Sequence, residues 1–161
     1  MTRAVEADGV SVDLPAGWEA RVRSRPLAPA AASPTVAAAD DAPAGGVVLH
    51  AGSFALPPVM GDYGSGAVEV MTAGDVLLCL LEHDPADAET PLFRREGIPA
   101  VRARDFGPSQ MQRAIPGMAG AQWFFRVGAR SFCLYAVMGS HRARHTLAPR
   151  IDSVVRTLAI T

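Results

Sequence analysis

The stretch AQWFFRVGARSFCLYAVMG, residues 121–139, decides how this chain folds. It holds two apolar, aromatic and β-branched runs either side of Val127–Arg130, with Gly128 where a tight turn needs a residue free to take positive φ. Two such runs joined by a short glycine-bearing link predict a β-hairpin of two long strands. Hairpins build antiparallel sheets, so the expected class is α+β with a mostly antiparallel sheet.

Working outward, VLLCLLEHD (76–84) is apolar on both faces and predicts a central strand covered on both sides. VVLHAGSF (47–54) predicts another strand, and VRARDF (101–106) a short one. Near the start, VSVDLP and WEARVRSR alternate around a PAGW turn. In the second run Trp18, Ala20, Val22 and Ser24 share one face, and Glu19, Arg21, Arg23 and Arg25 the other. Together they predict an opening hairpin over Gly9–Arg25 with one wet face. Downstream of the 121–139 stretch, Leu147, Ile151, Val154, Val155 and Leu158 recur at helical spacing, so a C-terminal helix should pack across the sheet. Proline is tolerated in a first turn, so Pro149 places the helix start near Thr146. Ser65 is a candidate cap for a short helix over Gly66–Met71. The total is about seven strands, one long helix and one or two short ones.

Length and composition agree with a single domain over 1–161. The chain has 161 residues, enough to hold a core without staples. Its apolar share is 49%, although 29 of those residues are alanine. Residues 26–46 hold nine alanines and four prolines with almost nothing to bury, and are expected to form a flexible or extended excursion. No secretory signal or span-length apolar run is present, so the expected location is cytoplasmic. All fifteen basic residues are arginine. This bias, with the surplus of Ala, Gly and Pro, points to a G+C-rich bacterial genome. It also excludes Schiff-base, P-loop and kinase chemistry, each of which needs a lysine amine. Cys79 and Cys133 each lie in an apolar run and read as buried reduced thiols; a disulfide would require their strands to be neighbours.

The two ends together resemble the PsbP-like fold. The resemblance rests on the V-x-L-P-x-G-W pattern at Val12–Trp18, on WFFRVGARSFCLYAVMGS (123–140), and on LAPRIDSVVRTLAI (147–160) as helix and short strand. It covers Gly9–Arg25 and Ala121–Ile160. It implies an α/β/α sandwich, shared by extrinsic photosystem subunits, a Ran-binding nuclear import factor and many small bacterial proteins of unknown function. Members of that family mostly bind or assemble. The implied function is therefore a non-catalytic binding or assembly domain with a protein partner. The matching motifs are structural and carry over no functional residue.

Several residue groups could carry chemistry. Gly61–Gly66 (GDYGSG) is glycine-rich before a helix but lacks a nucleotide fingerprint, so a loop needing φ freedom explains it. Glu82, His83 and Asp84 adjoin, but only Glu82 and Asp84 would share a face of a strand. His141 and His145 have zinc-like spacing only on a helix, and their expected place is the preceding loop. His50 reads as a satisfied half-buried histidine. Ser53, Ser65 and Ser140 follow glycines without completing a nucleophile elbow. Asp105–Gly107 spells DFG with no other kinase element. No cofactor and no metal is expected.

Charge is the remaining signal. Residues 1–90 carry 13 acidic and 4 basic groups, and residues 91–161 carry 3 and 11. Either the halves interleave and their charges mix, or arginines gather into an anion- or phosphate-binding patch. The candidates are Arg142, Arg144, Arg150 and Arg156, with Arg126 and Arg130 flanking the hairpin turn. With net charge −1, nucleic acid is not a favoured partner. An enzyme would need His83, His50 or a carboxylate to converge with a nucleophile or metal.

Overall fold

A computed structural model describes residues 1–25 and 46–161. The strands are β1 (Arg3–Ala7), β2 (Val10–Leu14), β3 (Glu19–Arg25), β4 (Gly46–Gly52), β5 (Val76–Glu82), β6 (Ala119–Val127), β7 (Arg130–Met138) and β8 (Ala159–Ile160). The helix α1 (Arg144–Val155) precedes β8. The protein is α+β, with two antiparallel sheets ordered β3-β4-β5-β7-β6 and β1-β2-β8.

The 121–139 stretch forms the expected hairpin. Val127 pairs with Arg130 across Gly128-Ala129, and Gly128 takes φ 60°. Positive φ at the first turn residue matches the right-handed twist of the strands. β5 lies at the centre of the large sheet, and alternation splits it between two cores. Val76, Leu78 and Leu80 face one side; Leu77, Cys79 and Leu81 face the other. β7 divides likewise, with Phe132, Leu134, Ala136 and Met138 opposed to Cys133, Tyr135 and Val137. A fully buried leucine contributes roughly 1.5–3 kcal/mol, so the apolar run of β5 stabilises both layers at once.

The two faces are covered differently. The first packs against α1 through Leu147, Ile151, Val154 and Val155, and against β2 through Val10, Val12 and Leu14. The second is covered by connections: Phe54, Leu56, Met60, Tyr63 and Val68 from one, and Met111, Ile115 and Met118 from another. Among the described residues α1 is the only α-helix, so this second layer is built of loops and short 3₁₀ turns.

Five expectations are corrected. β2 and β3 do not form a hairpin: β2 pairs with β1 and β8, and β3 pairs with β4. The first hairpin is β1–β2, turned by Asp8 (φ 49°) and Gly9 (φ 76°), and the PAGW turn carries the chain from one sheet to the other. Residues 101–106 are not a strand; Ala103–Asp105 is a 3₁₀ turn closed by the Arg102 N–H donating to the Asp105 carboxylate. Ser65 caps nothing, because only Val68–Val70 is helical and Ala67 precedes it. α1 begins at Arg144, so Pro149 lies in its interior. Pro149 and His145 are both exposed, which opens to water the carbonyl that loses its N–H partner. The strand count is eight in two sheets. The alanine- and proline-rich excursion lies outside the described residues, save Gly46, which opens β4.

Candidate functional site

The polar residues of the second face meet beside β3. Alternation puts Glu19, Arg21, Arg23 and Arg25 on this face, and the connection after β4 folds over them. Arg21 donates to the carbonyls of Pro57 and of Leu56, the latter at 2.7 Å. Glu19 accepts from the Leu56 N–H at 2.9 Å. Arg23 and Arg25 share one carboxylate, Asp62, with Arg25 at 2.8 Å. The face expected to be wet is thus partly roofed, because arginine reaches across the sheet to satisfy loop carbonyls.

His50, only 2% exposed, lies under this roof on β4. Its Nε2 is 2.9 Å from the Asp62 carbonyl, which only a protonated Nε2 can satisfy. Burial lowers its pKa below the usual histidine value, against the pull of the Asp62 and Gly61 backbone, so the ring is neutral. Arg21, Val22, Arg23, His50, Pro58 and Met60 line a half-open cleft of about 180 Å³.

Next to it, Tyr63 meets Tyr135 edge to face at 5.7 Å. The Tyr135 hydroxyl accepts from the Gln112 N–H at 2.9 Å, tying the second connection to the sheet. Gln122 donates to the Cys133 sulfur at 3.2 Å. Burial pushes the Cys133 thiol up to about 11, opposed by hydrogen bonds from Gln122 and Tyr63. Burial also pushes Cys79 far above the ordinary thiol range, so both are inert thiols at neutral pH. Both are free. Their strands are neighbours, but Cys79 lies opposite Tyr135 and Cys133 opposite Leu81, a diagonal placement.

Glu82, His83 and Asp84 diverge. Glu82 accepts from Arg130 Nε at 2.8 Å and Nη2 at 2.9 Å, and from the Val47 N–H at 2.9 Å. His83 packs against Phe93 with ring centroids 4.9 Å apart, and its Nδ1 is 4.0 Å from Asp87. Asp84 caps the turn Pro85–Glu89 by accepting from the Ala86 N–H. Three adjacent polar residues therefore do three separate structural jobs.

The other candidates are also dispersed. His145 is helical and His141 lies in the turn before it, where its N–H donates to the Gly117 carbonyl. Among the described residues, no three metal-ligating side chains come together. Ser53 bonds Asp75 and accepts from the Val76 N–H, which anchors the start of β5. Within Gly61–Gly66 a turn closes on itself, Gly61 N–H to the Ser65 carbonyl. A Cβ on Gly64 would come within 2.6 Å of Leu77, so close packing explains that glycine.

The C-terminal arginines Arg144, Arg150 and Arg156 each have a partner of their own. At about 100° per residue, Arg144, Arg150 and Arg156 fall roughly 120° apart around α1. Arg156 pairs with Asp152 at 2.7 Å, Arg150 donates to the Gly74 carbonyl, and Arg144 turns back to the His141 carbonyl. Arg142 is exposed on the preceding turn. Arg126 lies beside Glu89 and Glu96, and Arg130 beside Glu82. Pairs such as Arg126–Glu89 and Arg130–Glu82 join the acidic half of the chain to the basic half.

No family model, curated protein or solved structure matches this chain. The site therefore stands on its own geometry. Sequence reading missed Arg21, Arg23, Asp62 and Tyr63 as a group. Three arginines alternating on one strand face were visible, but the loop that folds over them was not.

Proposed function

We propose that the chain is a non-catalytic binding or assembly domain, built on a PsbP-like sandwich, that holds a protein partner. The order of long hairpin, helix and short strand at the C-terminal end supports the family reading. The observation that carries the function is how the second face uses its reactive groups. Arg21, Arg23, Arg25, His50 and Tyr135 each brace the connections over the sheet. That braced layer exposes Val59 by 79% and Val70 by 57%. The segments that carry them touch, since the Val59 carbonyl lies against Gly66, four residues before Val70. A large apolar side chain on a fixed layer is suited to docking another protein.

The test is site-specific photo-crosslinking in native-host extract, with the probe at Val59 or at Ser153, which is exposed on α1. A defined adduct from position 59 that Val70→Glu abolishes, with the melting temperature unchanged, is the expected result. Adducts only from position 153, or adducts indifferent to Val70→Glu, would refute the reading.

A further inference from the structure

We propose that the cleft between β3, β4 and the Leu56–Asp62 connection binds a phosphate monoester through Arg21 and Arg23. Three features of the cleft support this, none of which the partner reading requires.

The first is charge. Arg21 is fixed by two backbone carbonyls, which are neutral acceptors and leave its positive charge in place. Arg23 shares Asp62 with Arg25. Among the described residues beside the cleft, Arg21, Arg23 and Arg25 oppose Glu19 and Asp62. One positive charge remains, at the mouth where the Arg23 side chain is 51% exposed. The second is donor supply. Each guanidinium has five N–H donors. To the described residues Arg21 gives two of them and Arg23 one, which leaves each with further donors for a ligand. Their anchors also hold them before any ligand arrives, so little side-chain freedom is lost on binding.

The third is size and lining. At about 180 Å³ the cleft is smaller than a drug-sized pocket, and takes a phosphoryl group with its attached carbon. Pro58 and Met60 give the cleft an apolar wall, which strengthens a guanidinium–oxyanion contact. His50 closes the cleft with its Nε2–H already given to the Asp62 carbonyl. A single guanidinium fork satisfies a carboxylate, whereas the dianionic, multi-oxygen phosphate monoester matches two.

The experiment uses the full chain, titrated at constant ionic strength with O-phosphoserine, inorganic phosphate and serine, and followed by amide and histidine-ring NMR. Saturable shifts at Arg21–Arg23, His50 and Met60–Asp62 are expected with both phosphates and none with serine. Arg21→Gln/Arg23→Gln should weaken binding at least tenfold, and Arg23→Lys, which keeps the charge but loses the fork, several-fold. Arg142→Gln/Arg150→Gln/Arg156→Gln should bind as wild type does. Linear, non-saturating wild-type shifts, shifts centred on Arg142–Arg156, or full binding by a folded double variant would each overturn the proposal. If the double variant does not fold, the wild-type shift map decides.

Discussion

Replacing Glu82 by Gln tests the electrostatic joint between the two halves of the chain. Glu82 closes the end of β5, and its carboxylate accepts three N–H bonds: two from Arg130 and one from Val47. Its side chain is 13% exposed and that of Arg130 is 22%. The amide of Gln keeps one acceptor oxygen but loses the charge and one lone-pair site facing Arg130. Hydrogen bonds to charged groups are each worth about 1.5–3 kcal/mol. Partial exposure and the remaining Arg130 contact with the Thr161 carbonyl reduce the loss, so a cost of about 2 kcal/mol is expected. For a chain of this size that lowers the melting temperature by roughly 4–8 °C. The pH dependence supplies the sharper test. Burial alone would raise the Glu82 pKa, but the bonds from Arg130 and the Val47 N–H outweigh it and hold the carboxyl below its ordinary value. A group whose folded pKa is depressed contributes stability above its unfolded value, about 4.3, and loses it as pH falls through the folded value. Circular-dichroism melts of wild type and Glu82→Gln should therefore differ at about pH 7 and converge at about pH 2. No difference at neutral pH, or a difference that survives acidification undiminished, would refute this account of the joint.

Other outcomes follow from the same structure. Leu80→Ala and Leu134→Ala remove opposed side chains in the core beneath α1, each 1% exposed, and should each cost roughly 2–5 kcal/mol in urea unfolding with unchanged m-value. Wild-type midpoints for both would contradict the placement of β5 and β7. Gly128→Ala meets no neighbouring atom, yet its φ of 60° should cost about 1 kcal/mol through backbone strain alone, read as a faster unfolding rate. Burial lowers the folded pKa of His50, so the unfolded chain binds the proton first as pH falls below about 6.5, and stability should decline there. His50→Gln should flatten that slope; an unchanged slope would show that His50 does not set it. Stoichiometric zinc should leave the melting temperature unchanged, and a rise abolished by His141→Ala would place a metal at the α1 turn.

What could be read along the chain was much of what neighbours within a few residues set. Unbroken apolar and aromatic runs placed β5, β6 and β7, Gly128 marked the turn between the last two, and the spacing of Leu147 to Leu158 revealed the buried stripe of α1. The misreadings that hid the sheet order and the cleft occurred where the partner was distant. VSVDLP and WEARVRSR looked like a hairpin because they alternate either side of a turn, but alternation says which residues share a face and not which strand lies alongside. β2 pairs instead with β8, near the other end of the chain. The cleft was hidden for the same reason. Arg21, Arg23 and Arg25 share a face by local geometry, but only the return of Leu56–Asp62 over that face gives them carbonyls and a carboxylate to hold. Local sterics act between neighbouring residues and leave a periodic trace; hydrogen bonds across 35 or more positions form only once the sheet has brought their partners together.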